Sequence, residues 1–528
     1  MSAYYRQIAS ATVVANPTLG AITEDRVAFG ALIITSSGSA IFVKEIESME
    51  TEKKENGDAG TWSFTAPLAV NHNTASVIGP MDLVALYAVR IQADLIGQAT
   101  AALRVFNLFP EAKSGGYTYG SAGASVIKQL GLDSANCLMI GMIDRVEEGY
   151  DFEASSLTLT VYGRDLTKVL IDNDVYVPYT VAAGGENGIA SVLAGVSFAK
   201  ETSGTQFLLD ILDIFVAKNP DRIAQVINND PNFTLSSQDV LQSIAQFGYP
   251  WRNFLRVDAL IAGFHHIGNG QFPRFAVQNG SAWTNITELR NFPIARIFVD
   301  EIGRLIFDDT WSAWGMAPPA TAAKLLSVGT DGNPRQPLAV VNSEVRSVSF
   351  SQADDNVLTG ISIQQPLITF GDFQPASFPV FSAPQHAATS TIQVYGYRCG
   401  KFVSQYDDPQ AYQLTPSGVP TPNDPTQNAL AARYPILWQL HNNLWEATFV
   451  LKGNVKWRAG ARLSTTLGGS QAATRPQTGY SKEWYIMSVA HSLSFGADWT
   501  TTVKARFPLD PAGSVLAANV VGGNAAPL

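Results

Sequence analysis

The sequence predicts a mainly β protein with inserted helices: two similar β-barrel domains, at 1–185 and 341–528, flanking a mixed helical and strand middle domain at 186–340. Three observations carry this. Short runs rich in β-branched and aromatic residues alternate apolar and polar with period two, and Gly-containing turns separate them. The middle holds helix-like segments instead. The strand order of the amino part then recurs in the carboxyl part.

Residues 26–49, RVAFGALIITSSGSAIFVKEIESM, read as a hairpin in which Ser36-Ser37-Gly38 supplies the turn. TEKKENGDAG (51–60) reads as a charged loop, and TWSFTAPL after it as a strand with Trp62 and Phe64 on one face. GPMDLVALYAVRIQ is a turn leading into a strand apolar enough to be buried on both faces. LMIGMIDRVEEGYDFEASSLTLTVYGRD (138–165) gives a second hairpin, with alternation clearest in SSLTLTVY.

In the middle, TQFLLDILDIFVAKN (205–219) and SSQDVLQSIAQFG (236–248) read as helices, the second opened by Ser236 and stopped by Gly248. Strands return at FLRVDALIAGFHHIGNG and at ARIFVDEIGRLIFDD (295–309), where Glu301 to Arg304 form a turn between two apolar arms. MAPPATAAKLLSVGTDGNPRQP (316–337) reads as a linker. The arm DDPQAYQLTPSGVPTPNDPTQN (407–428) is too rich in Pro to be expected to hold a regular ladder.

The carboxyl part repeats the earlier order. A hairpin at 345–363 matches the first one, and LWEATFVLKGN places Trp445 where Trp62 stood. RAGARLSTTLGG parallels GPMDLVALYA, and the closing hairpin EWYIMSVAHSLSFGADWTTTVKARFP sets Val489 against Val146.

Composition narrows the functions. Of 528 residues, 46% are apolar and 15% charged, so large cores can be buried. Lys plus Arg is 35 against 45 for Asp plus Glu, a net charge of −10 without a basic block, which disfavours nucleic-acid binding. Cys137 and Cys399 are the two cysteines, which fits assembly in a reducing cytoplasm. The start MSAYYRQIASATVVANP lacks the pattern of a secretion signal, and the longest apolar stretch, FLLDILDIFVA, is too short and too acidic to span a bilayer.

Three stretches resemble the baseplate hub proteins of contractile phage tails and related injection systems. TVYGRDLTKVLIDN (160–173) is similar to the Gly-Arg-Asp segment after the first barrel of that family, FVDEIGRLIFDD (298–309) to its Asp-x-x-Gly-x-Leu hairpin, and WYIMSVAHSLSFGADWTTTVKARF to its closing hairpin. The resemblance implies that the two barrels are tail-tube-like. It also implies a structural protein of the virion tail baseplate, assembled in the host cytoplasm, that adapts a sixfold tube to a threefold spike. Its partners would be two further copies of itself in a homotrimer, the spike protein, a tube or distal tube-adaptor protein and the tape measure protein. DNA would pass through an acidic channel without staying, and no stable membrane insertion is implied. Neither catalytic residues nor a cofactor or metal are implied, because the bare hub of this family has no active site. Some relatives carry an added cell-wall hydrolase domain, so a tail-associated peptidoglycan hydrolase is the alternative. A carbohydrate-binding adhesin is a third reading.

The residues that could carry chemistry weigh against the alternatives. His491, Ser492 and Asp498 suggest a hydrolytic set, but His491 and Ser492 are strand neighbours and point to opposite faces, with Val489, His491, Leu493 and Phe495 sharing one side. His265-His266 diverge for the same reason and read as a polar strand end. Asp300, Glu301, Asp308 and Asp309 could be paired acids for glycoside cleavage, yet they flank a turn and a strand end, where solvated carboxylates are ordinary. AKSGGYTYGSAGAS (112–125) lacks the Lys-Ser/Thr ending of a phosphate loop. Arg164-Asp165 reads as the opening of a short helix, with Asp165 as its cap.

Overall fold

Period-two alternation becomes one large sheet. The computed structural model describes residues 26–35, 40–43, 45–55, 59–91, 137–151, 156–175, 263–264, 280–288, 295–301, 303, 305–309, 338–340, 342–352, 358–365, 380–381, 385–386, 392–393, 395–403, 412–414, 420–422, 445–465, 483–495 and 498–507. The first lobe holds β1 (Arg26–Ile34), β2 (Ala40–Phe42), β3 (Ser48–Lys54), β4 (Thr61–Pro67), β5 (Leu83–Ile91), β6 (Cys137–Asp151) and β7 (Ser156–Asp165). The middle contributes β8 (Asp174–Val175), β9 (Gly263–Phe264), β10 (Gly280–Ser281), β11 (Ala295–Val299) and β12 (Leu305–Asp309). Next come β13 (Leu338–Val340), β14 (Val345–Gln352), β15 (Gly360–Gln365), β16 (Val380–Phe381), β17 (Gln385–His386), β18 (Cys399–Val403), β19 (Tyr412–Leu414) and β20 (Pro420–Pro422). The chain closes with β21 (Trp445–Lys452), β22 (Arg462–Thr465), β23 (Glu483–Ser494) and β24 (Thr500–Phe507). The readings at 112–125, 205–219, 236–248, 265–266 and 316–337 lie outside the described residues.

Thirteen of these strands share one sheet, in the order β14-β21-β24-β23-β3-β4-β7-β6-β5-β1-β2, with β22 beside β23 and β13 beside β22. The order contains the same five-strand run twice. In the first lobe it is β3-β4-β7-β6-β5, in the second β14-β21-β24-β23-β22, and every neighbour pair within each run is antiparallel. The copies part at the next strand, for β1 runs antiparallel to β5 whereas β13 runs parallel to β22.

Irregularities make the correspondence residue-specific. β6 bulges against β7 between Ile143 and Arg145, and β23 bulges against β24 between Ile486 and Ser488. Ile143 therefore matches Ile486, and Val146 matches Val489, as the sequence suggests. Along β7 and β24, Thr158, Thr160, Val161 and Arg164 fall on Thr500, Thr502, Val503 and Arg506. Phe64 matches Phe449, facing Val161 and Val503 respectively. Trp62 then matches Ala447, not Trp445; the pairing of tryptophans read from the sequence is two residues out of register.

A turn before β5 and β22 repeats in the same way. Asp82 N–H donates to Gly79 O at 3.3 Å, and Ala461 N–H to Arg458 O at 3.3 Å. Met81 N–H and Gly460 N–H reach Ile143 O and Ile486 O, each at 2.9 Å. Met81 has φ 73 and Gly460 φ 75, the third position of a type II turn, which favours Gly. One copy has Pro80 at the second position and a strained Met81; the other has the relaxed glycine. Met81→Gly is expected to raise unfolding stability by up to about 1 kcal/mol, the strain relief offset by the glycine's entropy in the unfolded chain. Gly460→Ala is expected to cost about 1–2 kcal/mol. Urea denaturation of both variants checks the pair.

The cores follow the alternation. Trp62 and Phe64 are both buried on one face of β4, with rings 6.1 Å apart. Leu83 to Ala88 are all buried, as a strand covered on both faces requires. The lobes fill matching space differently. In the first, a Cβ on Gly163 would lie 2.1 Å from the Trp62 ring and one on Gly141 2.5 Å from its Nε1, so the indole lies across two glycines. In the second, Ala447 and Ala505 stand for Trp62 and Gly163, and Trp484 stands for Gly141. Trp484 packs against Phe350 at 5.5 Å and Phe449 at 5.8 Å. At this site one indole fills the space in each lobe, but it comes from a different strand.

Three local readings change. The supposed loop at 51–60 is half strand: β3 alternates Met49, Thr51 and Lys53 inward, with Glu50 outward. The hairpin expected at 345–363 does not form, because β14 joins the large sheet whereas β15 pairs with β16, β17 and β18. The Pro-rich arm does hold a short ladder, β19 with β20, in the register Gln413↔Thr421. Pro420 and Pro422 flank Thr421, so they turn their missing donors away from the partner strand and Thr421 supplies the bond.

Candidate assembly interface

The lobes meet edge to edge. β23 pairs antiparallel with β3 from Ser488↔Lys54 to Ser494↔Ser48, which makes the sheet continuous between halves far apart in sequence. Side chains follow the backbone: Leu493 and Trp499 of the second lobe, both 1% exposed, belong to the hydrophobic core of the first. The Trp499 ring lies on Gly453, where a Cβ would approach its Cγ to 1.9 Å, and Gly453 N–H donates to Trp499 O at 2.8 Å.

Polar groups along the seam are partnered. Tyr485 donates its hydroxyl to Glu55, and Glu55 N–H donates to Met487 O at 2.9 Å. Lys53 pairs with Asp165, both buried, and Asp165 also accepts Thr167 N–H at 2.9 Å. The cap position of the helix Thr167–Asp172 is Leu166, one residue after the expected Asp165; Asp165 instead holds the first helical N–H from just outside and neutralises an interior lysine. Arg164 contacts Asp144 through two nitrogens at 2.8 and 3.0 Å, and Lys168 joins the same carboxylate at 2.6 Å. Partial burial raises the Asp144 pKa, but the three bonds and the two cations that make them outweigh it and hold the carboxyl below the usual carboxylate range.

The β11–β12 hairpin plugs the seam from the side. Its turn closes through Gly303 N–H to Asp300 O at 3.0 Å, with Gly303 at φ 81 and its α-carbon against Leu166. Glu301 O accepts Ile140 N–H of β6 at 2.7 Å, while its carboxylate accepts Ala459 N–H of the second lobe at 3.0 Å and lies 3.5 Å from Arg458. Asp300 and Glu301 are 5% and 4% exposed, so they are structural carboxylates rather than the solvated ones expected. Burial raises the Glu301 pKa, against the opposing pull of Arg458. Burial likewise pushes the nearby Cys137 thiol up to about 12, so it stays un-ionised. The side chains of Asp308 and Asp309 lie outside the described residues.

The residues that resemble a hydrolytic set are separated. His491 is 5% exposed on the core face, and Ser492 is exposed on the other. Asp498 pairs with Arg346. Phe495, expected beside His491, lies past the strand end and is 66% exposed. Trp499 Nε1–H donates to His491 Nδ1 at 3.3 Å, which makes Nδ1 an acceptor. The Thr501 hydroxyl, 2.8 Å away, must therefore donate to the same nitrogen, and the ring proton sits on Nε2. Burial first, and then Arg458, lowers the His491 pKa to about 3.

A neutral buried histidine makes stability fall with acid. The folded pKa lies below the unfolded value of about 6.5, so the contribution is complete above that pH and is lost as pH drops towards the folded value. The expected slope is about 1.4 kcal/mol per pH unit. The stability lost between pH 7 and pH 5 should then be about 2 kcal/mol smaller in His491→Gln than in the parent, measured by denaturant titration at both pH values.

Among the described residues, no group of three or more His, Cys, Asp or Glu is placed to hold a metal ion. Among them, no helix is long and apolar enough to cross a membrane.

No family model and no curated protein sequence matches this chain. Solved structures do. A tail protein from Neisseria meningitidis MC58 is 10% identical, with a TM-score of 0.44 over 95% of this chain and 99% of that one. The 43 kDa tail protein of prophage MuSo2 from Shewanella oneidensis is 11% identical, with a TM-score of 0.41 over 92% and 99%. An Escherichia coli component of the type VI secretion system, described as structurally similar to the T4 tail proteins gp27 and gp5, is 8% identical, with a TM-score of 0.32 over 92% and 77%. At these scores no residue role passes from those proteins to this one.

Proposed function

We propose that this chain is the structural hub of a tail baseplate, three copies of which form a ring between a sixfold tube and a threefold spike. The observation that supports this best is the fusion of two like-ordered lobes into one continuous sheet at β23 and β3. Two lobes joined edge to edge are two consecutive segments of a ring. Three chains then give six lobes, threefold in sequence and nearly sixfold in shape. The three motif resemblances agree with this role, and the tube or its adaptor, the spike and the tape measure protein are the partners it requires.

The solvated face of the sheet suits a channel wall. It carries rows of Ser and Thr, and three of its cations are paired in place, Lys54–Glu52 at 3.2 Å, Arg145–Glu147 at 3.2 Å and Arg506–Glu446 at 3.1 Å. A wall of this kind offers few lone cations for counterion release, so DNA passes without staying, in keeping with the acidic channel that the resemblance implies. The isolated protein is expected to show no salt-sensitive retention of duplex DNA.

Electron cryo-microscopy of the assembled tail tests the reading. Three copies and six tube-like lobes in one ring are expected; any other copy number, or a single lobe per chain in the ring, refutes it. The hydrolase alternative would require clearing of bacterial cell wall in a zymogram, abolished by His491→Ala with the fold intact.

A further inference from the structure

The duplication supplies the geometry of a contact that a single chain does not contain. In the second lobe, β23 uses residues 488–494 to pair with β3. Its counterpart β6 has the matching stretch 145–151, which among the described residues pairs with β7 on one side and has no ladder on the other. At the far end of the sheet, β14 is the counterpart of β3 and pairs with β21 alone among the described residues. Each chain thus shows one filled copy of an edge-to-edge joint and the two separated halves of a second.

The side chains repeat the pattern. Leu493 and Trp499, the two fully buried residues that the second lobe contributes to the first core, have Tyr150 and Leu157 as counterparts. Those are 49% and 47% exposed. On β14, Met49 and Thr51 correspond to Val348 and Phe350, which are partly buried against the second core. An apolar pair at one end of the chain therefore matches an incompletely covered core at the other. The outward rows are polar in both: Ala490 faces Glu52 in the filled joint, and its counterpart Glu147 would face Ser351, both exposed, in the second.

We infer that β6 of one chain pairs antiparallel with β14 of a second copy of this chain, in the register Val146↔Gln352, Glu148↔Phe350, Tyr150↔Val348. Tyr150 and Leu157 enter the neighbour's second-lobe core beside Val348 and Phe350. The joint is head-to-tail and uses different surfaces on the two copies, so repetition closes a ring or runs on as a filament. It rests on the ring reading above and specifies which edges meet, and how.

Cysteine pairs test the register. Glu147 and Ser351 are exposed, and seven strand spacings, roughly 34 Å, separate them within one chain, so a disulfide between them must join two chains. The full chain carrying Glu147→Cys and Ser351→Cys is oxidised over a range of concentrations and resolved without reductant. A covalent ladder that stops at three chains is expected. The single variants, which keep Cys137 and Cys399, and the off-register pair Glu147→Cys with Ser347→Cys, displaced by about 13 Å, should give none. A ladder from the off-register pair, or one that continues past three, overturns the joint as written. Sedimentation of the same samples separates the two levels of failure. Three-chain particles without the link sink this register and leave the ring standing, whereas monomers at every concentration without the link sink both. Tyr150→Asp with Leu157→Asp should abolish the ladder and leave the thermal midpoint of the dilute monomer unchanged.

Discussion

Asp165→Ala is expected to lower the unfolding free energy by about 3–5 kcal/mol, because it strands a buried ammonium. Lys53 and Asp165 are 3% and 0% exposed at the side chain, and they join β3 to the end of β7 across 112 residues. Gly60 makes room for them, since a Cβ there would lie 2.8 Å from the Lys53 chain and 2.9 Å from Asp165 Oδ2. The same carboxylate holds Thr167 N–H, so the first N–H of the following helix loses its acceptor as well. Replacing both partners, Lys53→Met with Asp165→Leu, removes the charge that would be stranded and should recover most of the loss. Urea denaturation of the three variants decides. A single variant costing under about 1 kcal/mol, or a double variant as poor as the single, would show that the pair does not hold the two strands together.

Trp499→Ala should cost about 3–5 kcal/mol and should weaken the first lobe more than the second, although Trp499 lies in the second. Its ring belongs to the first core, covers Gly453 and bonds to His491. Truncation opens a cavity across the seam and leaves His491 with one donor fewer. Gly453→Ala approaches the same joint from the other side by forcing the ring off its seat, at about 1–3 kcal/mol. Hydrogen exchange read strand by strand is the measurement. Protection lost first in β3 and β4 supports the shared core, while loss confined to β21 and β24 contradicts it.

The parts of this fold legible in the sequence are local. The hairpins β6–β7, β11–β12 and β23–β24 announce themselves because alternation and a turn lie within about thirty residues of one another. The seam does not, since β3 reads SMETEKK and its inward row includes Thr51 and Lys53. Such a row looks like a solvated loop until Asp165, more than a hundred residues on, is known to face it. The inward Glu55 beyond the strand needs Tyr485, 430 residues away. The acid at 301 misleads for the same reason, as its partners at 458–459 belong to the second lobe. His491 is placed correctly by strand parity alone, whereas Phe495 escapes the rule because the strand ends before it.

The exchange of Trp62, Gly141 and Gly163 for Ala447, Trp484 and Ala505 bears on how the two halves of this gene can change. Moving from one arrangement to the other by single substitutions passes through a state with two indoles competing for this one site or with none in it. Those intermediates are overfilled by about 1–3 kcal/mol or emptied by about 3–5 kcal/mol. A short segment copied between the halves by recombination would import the indole without its glycines, or the glycines without the indole. Each half is therefore sheltered from overwriting by its twin. That shelter lets the two sequences drift apart while their strand order stays the same, and lets each specialise towards a different neighbour.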